Sequence, residues 1–108
     1  FAEVRAIASR HGVREVSYGH AGDGNVHVNL LGTRADAAED EAALRAAAED
    51  VFRFACGIGG TITGEHGVGC VQSPYLSLCR DDVSLGMMRA IKTALDPRGL
   101  LNPGKIFV

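Results

Sequence analysis

Four histidines occur in the 108-residue sequence, and three of them, His20, His27 and His66, stand in glycine-rich stretches. An imidazole can ligate a metal or move a proton near neutral pH, so its placement is the first thing to fix. His20 and His27 flank Ala21-Gly22-Asp23-Gly24, and Asp-Gly between alternating residues is a strong short-range hairpin signal. If Asp23-Gly24 is the two-residue loop, Gly22 faces Asn25, Ala21 faces Val26 and His20 faces His27. Opposed residues share a face, with Cβ atoms about 4.5–5.5 Å apart, so the two imidazoles converge. A wider loop changes the partners but keeps the histidines near each other. Tyr18 and Asn29 fall on that same face, because side chains alternate with period two. The other face carries Val26, Val28 and Leu30 and already supplies a core, which leaves the polar face to be explained. One explanation is a metal site; the plainer one is a hydrogen-bonded pair of structural histidines.

A third ligand would separate these readings, and Glu65-His66 is the candidate source. It lies in a loop with glycines at 64, 67 and 69, where backbone can approach a ligand closely. Two histidines and a carboxylate leave coordination positions open, as catalytic sites require. Zinc is the default ion, and manganese or iron(II) accepts the same donors. Read alone, Glu65-His66 is equally well a solvated loop pair, and Cys70 is a poor candidate for a fourth ligand.

The elements that must position these residues follow from periodicity. Phe1 to His11 reads as a helix with Val4, Ile7 and Ala8 inward and Gly12 as its stop. Val13–His20 and Asn25–Leu31 read as strands. Thr33 to about Cys56 reads as a long helix, with acids near its start and Leu44, Ala48, Val51, Phe52 and Ala55 on the buried face. Thr61-Ile62-Thr63 is a short strand candidate, and Pro74–Leu78 one helical turn. A last helix is expected over Val83–Leu95, capped by Asp81 or Asp82, with Met87, Met88, Ile91 and Leu95 inward as core filling. Asp96 to Lys105 is too rich in proline and glycine for a regular element.

Composition excludes several classes. A net charge of −2, with only two lysines (Lys92, Lys105) and nine scattered arginines, argues against nucleic-acid binding. No apolar run approaches the roughly 20 residues of a membrane span. The three cysteines, Cys56, Cys70 and Cys79, lack C-x-x-C spacing and read as reduced thiols, which points to the cytoplasm. The chain opens on a helical rhythm without an initiator methionine or a signal sequence, as expected of a piece of a longer protein.

Three segments together resemble one family. Gly19-His20-Ala21-Gly22-Asp23-Gly24-Asn25-Val26-His27, Gly64-Glu65-His66-Gly67-Val68-Gly69 and Asp96-Pro97-Arg98-Gly99-Leu100-Leu101-Asn102-Pro103-Gly104-Lys105 are similar, in order and spacing, to motifs of the FAD-linked oxidase family of 2-hydroxyacid dehydrogenases. That family includes D-lactate dehydrogenase, the flavin subunit of glycolate oxidase and D-2-hydroxyglutarate dehydrogenase. The resemblance implies that His20, His27 and Glu65 bind a divalent metal and that His66 is the catalytic base. It further implies that Asn29 touches substrate and that Asn102 lies near the flavin. Two positions depart from the pattern: Gln72 stands where the family commonly has lysine, and Cys70 where it has a basic or polar residue. Both put an anion contact from that loop in doubt. The ether-lipid synthase branch carries a run of histidines where Glu65-His66 stands, and matches less well.

The resemblance implies an α+β fold. Antiparallel strands would be covered on one side by the helices near 35–56 and 83–95, as the C-terminal part of a substrate-binding cap domain. Residues 1–95 would belong to the cap, and 96–108 would pack on an upstream FAD-binding domain that holds most of the flavin. It also implies a D-2-hydroxyacid substrate, oxidised by hydride transfer to FAD with metal-assisted proton abstraction. This piece by itself would be inactive. An electron-acceptor subunit, an iron–sulfur segment beyond Val108, peripheral membrane association through such a partner, and oligomerisation of the piece are further expectations. The competing readings are a non-catalytic metal-binding or assembly module, and a purely structural α+β domain without metal.

Overall fold

The computed structural model describes residues 1–107; Val108, the end of the expected tail, lies outside them. Two compact units divide the chain, the first covering Phe1–Phe54 and the second beginning at Ala55. The architecture is α+β, as expected.

In the first unit, helix α1 (Ala2–Arg10) buries Val4, Ile7 and Ala8. It ends at His11, and Gly12 follows at φ +63°. Strands β1 (Arg14–His20) and β2 (Asn25–Leu31) form an antiparallel pair. The apolar side chains of β2 alternate, and two of them meet helices. Val28 packs against Val4, Ile7 and Val51, and Leu30 against Ala8, Val13 and Ala47. That apolar contact is the driving force that fixes which sheet face turns inward.

Helix α2 (Ala37–Gly57) starts later than the sequence suggests. Asp36 caps it, its Oδ1 accepting from the Ala38 and Glu39 amides at 2.9 Å. Thr33 and Arg34 are drawn out of the helix: both amides donate to Asp40 Oδ1, and Thr33 Oγ1 donates to the Gly12 carbonyl at 2.7 Å. The buried stripe of α2 is also rotated from the expected one. Ala47 and Val51 are buried, with half-buried Ala43, Leu44 and Phe54 packed against the core, whereas Ala48, Phe52 and Ala55, also half-buried, are not among its members. Alanine lies on every side of this helix, so periodicity alone could not fix its inner face. His11 Nε2 meets Asp50 Oδ2 at 2.7 Å, tying the end of α1 to α2 and holding the Asp50 carboxyl below its usual range. This histidine is structural.

In the second unit, Thr61-Ile62-Thr63 is not a strand, although Ile62 is buried. An extended segment becomes a strand only against a hydrogen-bonding partner, and the sheet among the described residues contains β1 and β2 alone. Ser73–Leu78 forms a 3-10 turn over the expected Pro74–Leu78. Helix α3 (Asp82–Leu95) is capped by Asp81, which accepts from the Ser84 amide at 2.7 Å. Its inner residue is Leu85, with Met88 half-buried. Met87, Ile91 and Leu95 are exposed, contrary to the expected inward face. Together with exposed Val83 they recur every four residues and form one apolar row. Periodicity shows which residues share a side, not whether another element covers it.

Asp96 organises the tail. Its side chain is buried, pairs with Lys92 Nζ and accepts from the Leu100 and Leu101 amides at 2.9 Å each. Further on, the Ile106 amide donates to the Gly69 carbonyl at 2.8 Å, and Arg89 lies over the Phe107 ring, 5.2 Å from its centroid. The Lys92 hydrogen bond, followed by the Leu101 amide, holds the Asp96 carboxyl down to about 2, from an ordinary 3.8. A depressed value means that the folded state favours the anion. The contribution to stability is therefore full above about pH 4 and is lost as pH falls toward about 2. An NMR titration of the Asp96 carboxyl carbon is expected to show a midpoint near 2, with the Leu100 and Leu101 amide shifts following it. A midpoint at the ordinary carboxylate value would mean that these ties are not made.

Candidate active site

The hairpin register differs from the expected one by two residues. Tyr18 pairs with His27, Gly19 with Val26 and His20 with Asn25, so the loop is residues 21–24 rather than Asp23-Gly24 alone. A two-residue type I′ turn needs positive φ at both central positions, and of these only Gly24 has it, at +72°. Asp23 instead uses its side chain, Oδ1 accepting the Asn25 amide at 3.0 Å, while the Asp23 and Gly24 amides both point to the His20 carbonyl. Gly19 lets the strands close just before this loop: a Cβ there would stand 2.3 Å from the Asn25 carbonyl oxygen.

His20 and His27 therefore meet diagonally rather than directly across. Their Nε2 atoms are 3.4 Å apart, with the rings edge to face at 84°. Two nitrogens bound about 2.0–2.1 Å from one tetrahedral zinc ion stand roughly 3.3–3.4 Å apart, so the spacing suits a shared ion. The same spacing also serves an N–H···N hydrogen bond. Tyr18, directly opposite His27, stacks on its ring at 4.9 Å between centroids and limits the angles that imidazole can take. Asn29 lies on the same face, two residues beyond His27, and donates from Nδ2 to the Val16 carbonyl at 3.3 Å.

Within the second unit, Glu65 and His66 sit in an irregular loop with Gly67 and Gly69 at positive φ. Glu65 Oε1 and His66 Nε2 are 3.5 Å apart, and both side chains are well exposed. The hydrogen bond from Ile106 to Gly69 ties the closing segment to this loop. Asn102 is exposed and holds a left-handed backbone at φ +48°. Gln72, at one of the positions that departs from the family pattern, has its Oε1 buried without a hydrogen-bond partner. Cys70, at the other, is exposed.

The family model for the C-terminal domain of FAD linked oxidases matches residues 1–106. The chain belongs to this family. The domain is 42% identical to the glycolate oxidase subunit GlcD of Bacillus subtilis (strain 168) over 104 residues, covering 96% of the chain and 22% of that protein. It is 39% identical to a D-2-hydroxyglutarate dehydrogenase of Stutzerimonas stutzeri (strain A1501), covering 97% of the chain and 23% of that protein. It is 33% identical to a D-lactate dehydrogenase of Anaerostipes hadrus, covering 95% of the chain and 22% of that protein. The FAD-linked oxidase domain thus spans about a fifth of the length of these curated relatives. No helix among its described residues is long and apolar enough to cross a membrane.

Two features of this domain escaped sequence reasoning. Tyr18 was visible as a neighbour on the histidine face, but its stacking depends on the register. Asp96 reads as a loop residue, and only its position at the end of α3 hinted at a cap.

Proposed function

We propose that the protein carrying this domain oxidises a D-2-hydroxyacid to the 2-oxoacid with FAD as hydride acceptor, and that His20, His27 and Glu65 hold a divalent metal, zinc by default, at the reacting end of the substrate. The imidazole pair carries this reading: two nitrogens at ligand spacing on the polar face of a hairpin, within the family's histidine motif. A bound flavin would supply the acceptor for the Cα hydride, and an ion held by His20, His27 and Glu65 would supply Lewis acidity that lowers the hydroxyl pKa.

The residues of this chain then have separate tasks. His20 and His27 orient their ring nitrogens on one face, with Tyr18 stacked against the second. Glu65 supplies a negative oxygen that offsets the ion's charge. His66 takes the hydroxyl proton as general base, so that the two electrons of the C–H bond can leave as hydride. Asn29 offers an amide on the histidine face for a substrate oxygen. Asn102 sits near the flavin, and the 96–108 tail packs on an upstream FAD-binding domain. The exposed apolar row of α3 and the exposed Leu100 and Leu101 are consistent with such a cover. Reoxidation falls to an electron-acceptor subunit or an iron–sulfur segment. A cytoplasmic location, peripheral to the membrane where that acceptor lies there, fits the reading.

Names of relatives point to three substrate classes: glycolate, D-2-hydroxyglutarate and D-lactate. Stopped-flow bleaching of the flavin in the full-length protein, with each acid and with L-lactate as the control, tests the proposal. Bleaching by at least one of the three acids, faster than by L-lactate, is expected. No reduction by any 2-hydroxyacid, in a protein that takes up metal and flavin, would instead favour a non-catalytic metal-binding module.

A further inference from the structure

Residues 97–105 are exposed, yet Ile106 and Phe107 are half-buried, so the chain returns to its own unit there. Two cationic side chains of α3, three positions apart and so on one side of the helix, grip the returning segment. Lys92 Nζ donates to the Leu101 carbonyl at 2.6 Å, and the Arg89 guanidinium lies over the Phe107 ring, 5.2 Å from its centroid. The Phe107 amide donates back to the Lys105 carbonyl at 2.6 Å, closing a three-residue turn about Ile106, whose φ is +63°. A β-branched residue rarely adopts this left-handed backbone, and such a turn persists only where its surroundings hold it. The turn aims the Ile106 amide at the Gly69 carbonyl, 2.8 Å away. Gly69 is itself left-handed, at φ +58°, and stands three residues after His66.

We propose that Lys105–Phe107 is a strap that positions the Glu65–His66 loop, with Arg89, Ile106 and Phe107 as positioning residues for the hydroxyacid oxidation proposed above. Arg89 holds the Phe107 ring, the ring holds the strained turn, and the amide of that turn holds Gly69. The Gln72 amide, at the start of the 3-10 turn, holds the neighbouring Val68 carbonyl at 3.3 Å. The loop is thus tied from two sides just beyond its acid and its base. Glycine-rich backbone has many conformations open to it, and few of them set Glu65 and His66 for joint action. Because the turn at Ile106 is unfavourable by itself, loss of the ring clamp releases it rather than leaving it in place. The catalytic consequence rests on the roles proposed for Glu65 and His66; the tie between strap and loop does not.

Full-length Phe107→Ala, Phe107→Tyr and Arg89→Ala are compared with the parent by hydrogen exchange, and by steady-state rates with whichever hydroxyacid bleaches the flavin. In both alanine variants the amides of residues 64–70 should exchange faster, with exchange across β1 and β2 unchanged. Arg89 is exposed and alanine is the best helix former, so that variant keeps α3. A misplacement of about 1 Å is enough to lower kcat by about 10²-fold, and a loss approaching this is expected with KM within a few-fold of the parent. Phe107→Tyr keeps the ring face and should restore both readouts. The double variant Phe107→Ala/Arg89→Ala should be no worse than either single one, since both open one clamp. Parent-like loop exchange in both alanine variants would overturn the strap, whatever the protein oxidises. Faster exchange with unchanged kcat would overturn the positioning role. A parent that oxidises no hydroxyacid would refute the proposed function and the positioning role together, while the exchange result still decides the strap.

Discussion

Replacing His66 with alanine is expected to lower the proposed hydroxyacid oxidation by the full-length protein about 10²–10⁴-fold, the usual range for loss of a positioned general base. This corresponds to about 3–5 kcal/mol of lost transition-state stabilisation. The side chain is exposed within its own unit and belongs to no buried cluster, so the variant should fold as the parent does. Flavin and metal content should be unchanged, because neither is assigned to this imidazole. His66→Gln should be as slow as His66→Ala, since an amide keeps the polarity but cannot take the proton. Steady-state rates with the preferred hydroxyacid, measured beside flavin absorbance and metal content, check this. Turnover within a few-fold of the parent would remove His66 from the chemistry, and slow turnover with lost metal would make it a ligand instead.

His20→Ala should act differently. Removing one imidazole leaves His27 with a single nitrogen where the pair held two at 3.4 Å. Even groups that only orient a metal ligand change affinity by about 10–100-fold, so loss of a ligand should cost about 10²-fold or more, with activity falling in parallel. His20 is exposed and close to the loop, so little packing is lost with it. Competition against a zinc-sensitive dye gives the affinity, and added zinc at high concentration should restore part of the activity. Unchanged metal affinity would leave the two rings as a hydrogen-bonded pair, the plainer reading of the same geometry.

The sequence made the polar face of the hairpin legible, although the register derived from it was wrong. The true pairing is shifted by two residues from the expected one. Side chains alternate with period two, so an even shift changes partners but leaves His20, His27, Tyr18 and Asn29 on one face. A shift of one would have put the two histidines on opposite faces of the sheet. Helix α3 shows the opposite case. Its row of Val83, Met87, Ile91 and Leu95 was readable, but whether the row turns inward depends on what covers it, and those residues are exposed here. Thr61-Ile62-Thr63 had strand-forming residues without a strand to pair with. The start of α2 was set by Asp36 and Asp40 side chains competing for backbone amides, which hydrophobic periodicity does not register.

The proposed ligand set draws on two segments far apart in sequence, the His20–His27 hairpin and the Glu65 loop, and only Glu65 joins the second to the metal. Elemental analysis of purified full-length protein, parent and Glu65→Ala, with flavin measured in the same samples, therefore tests the proposal most directly. The parent should carry about one divalent ion per chain, and Glu65→Ala should lose most of it while keeping its flavin. Equal metal content in the two proteins, or none in an active parent, would contradict the assignment.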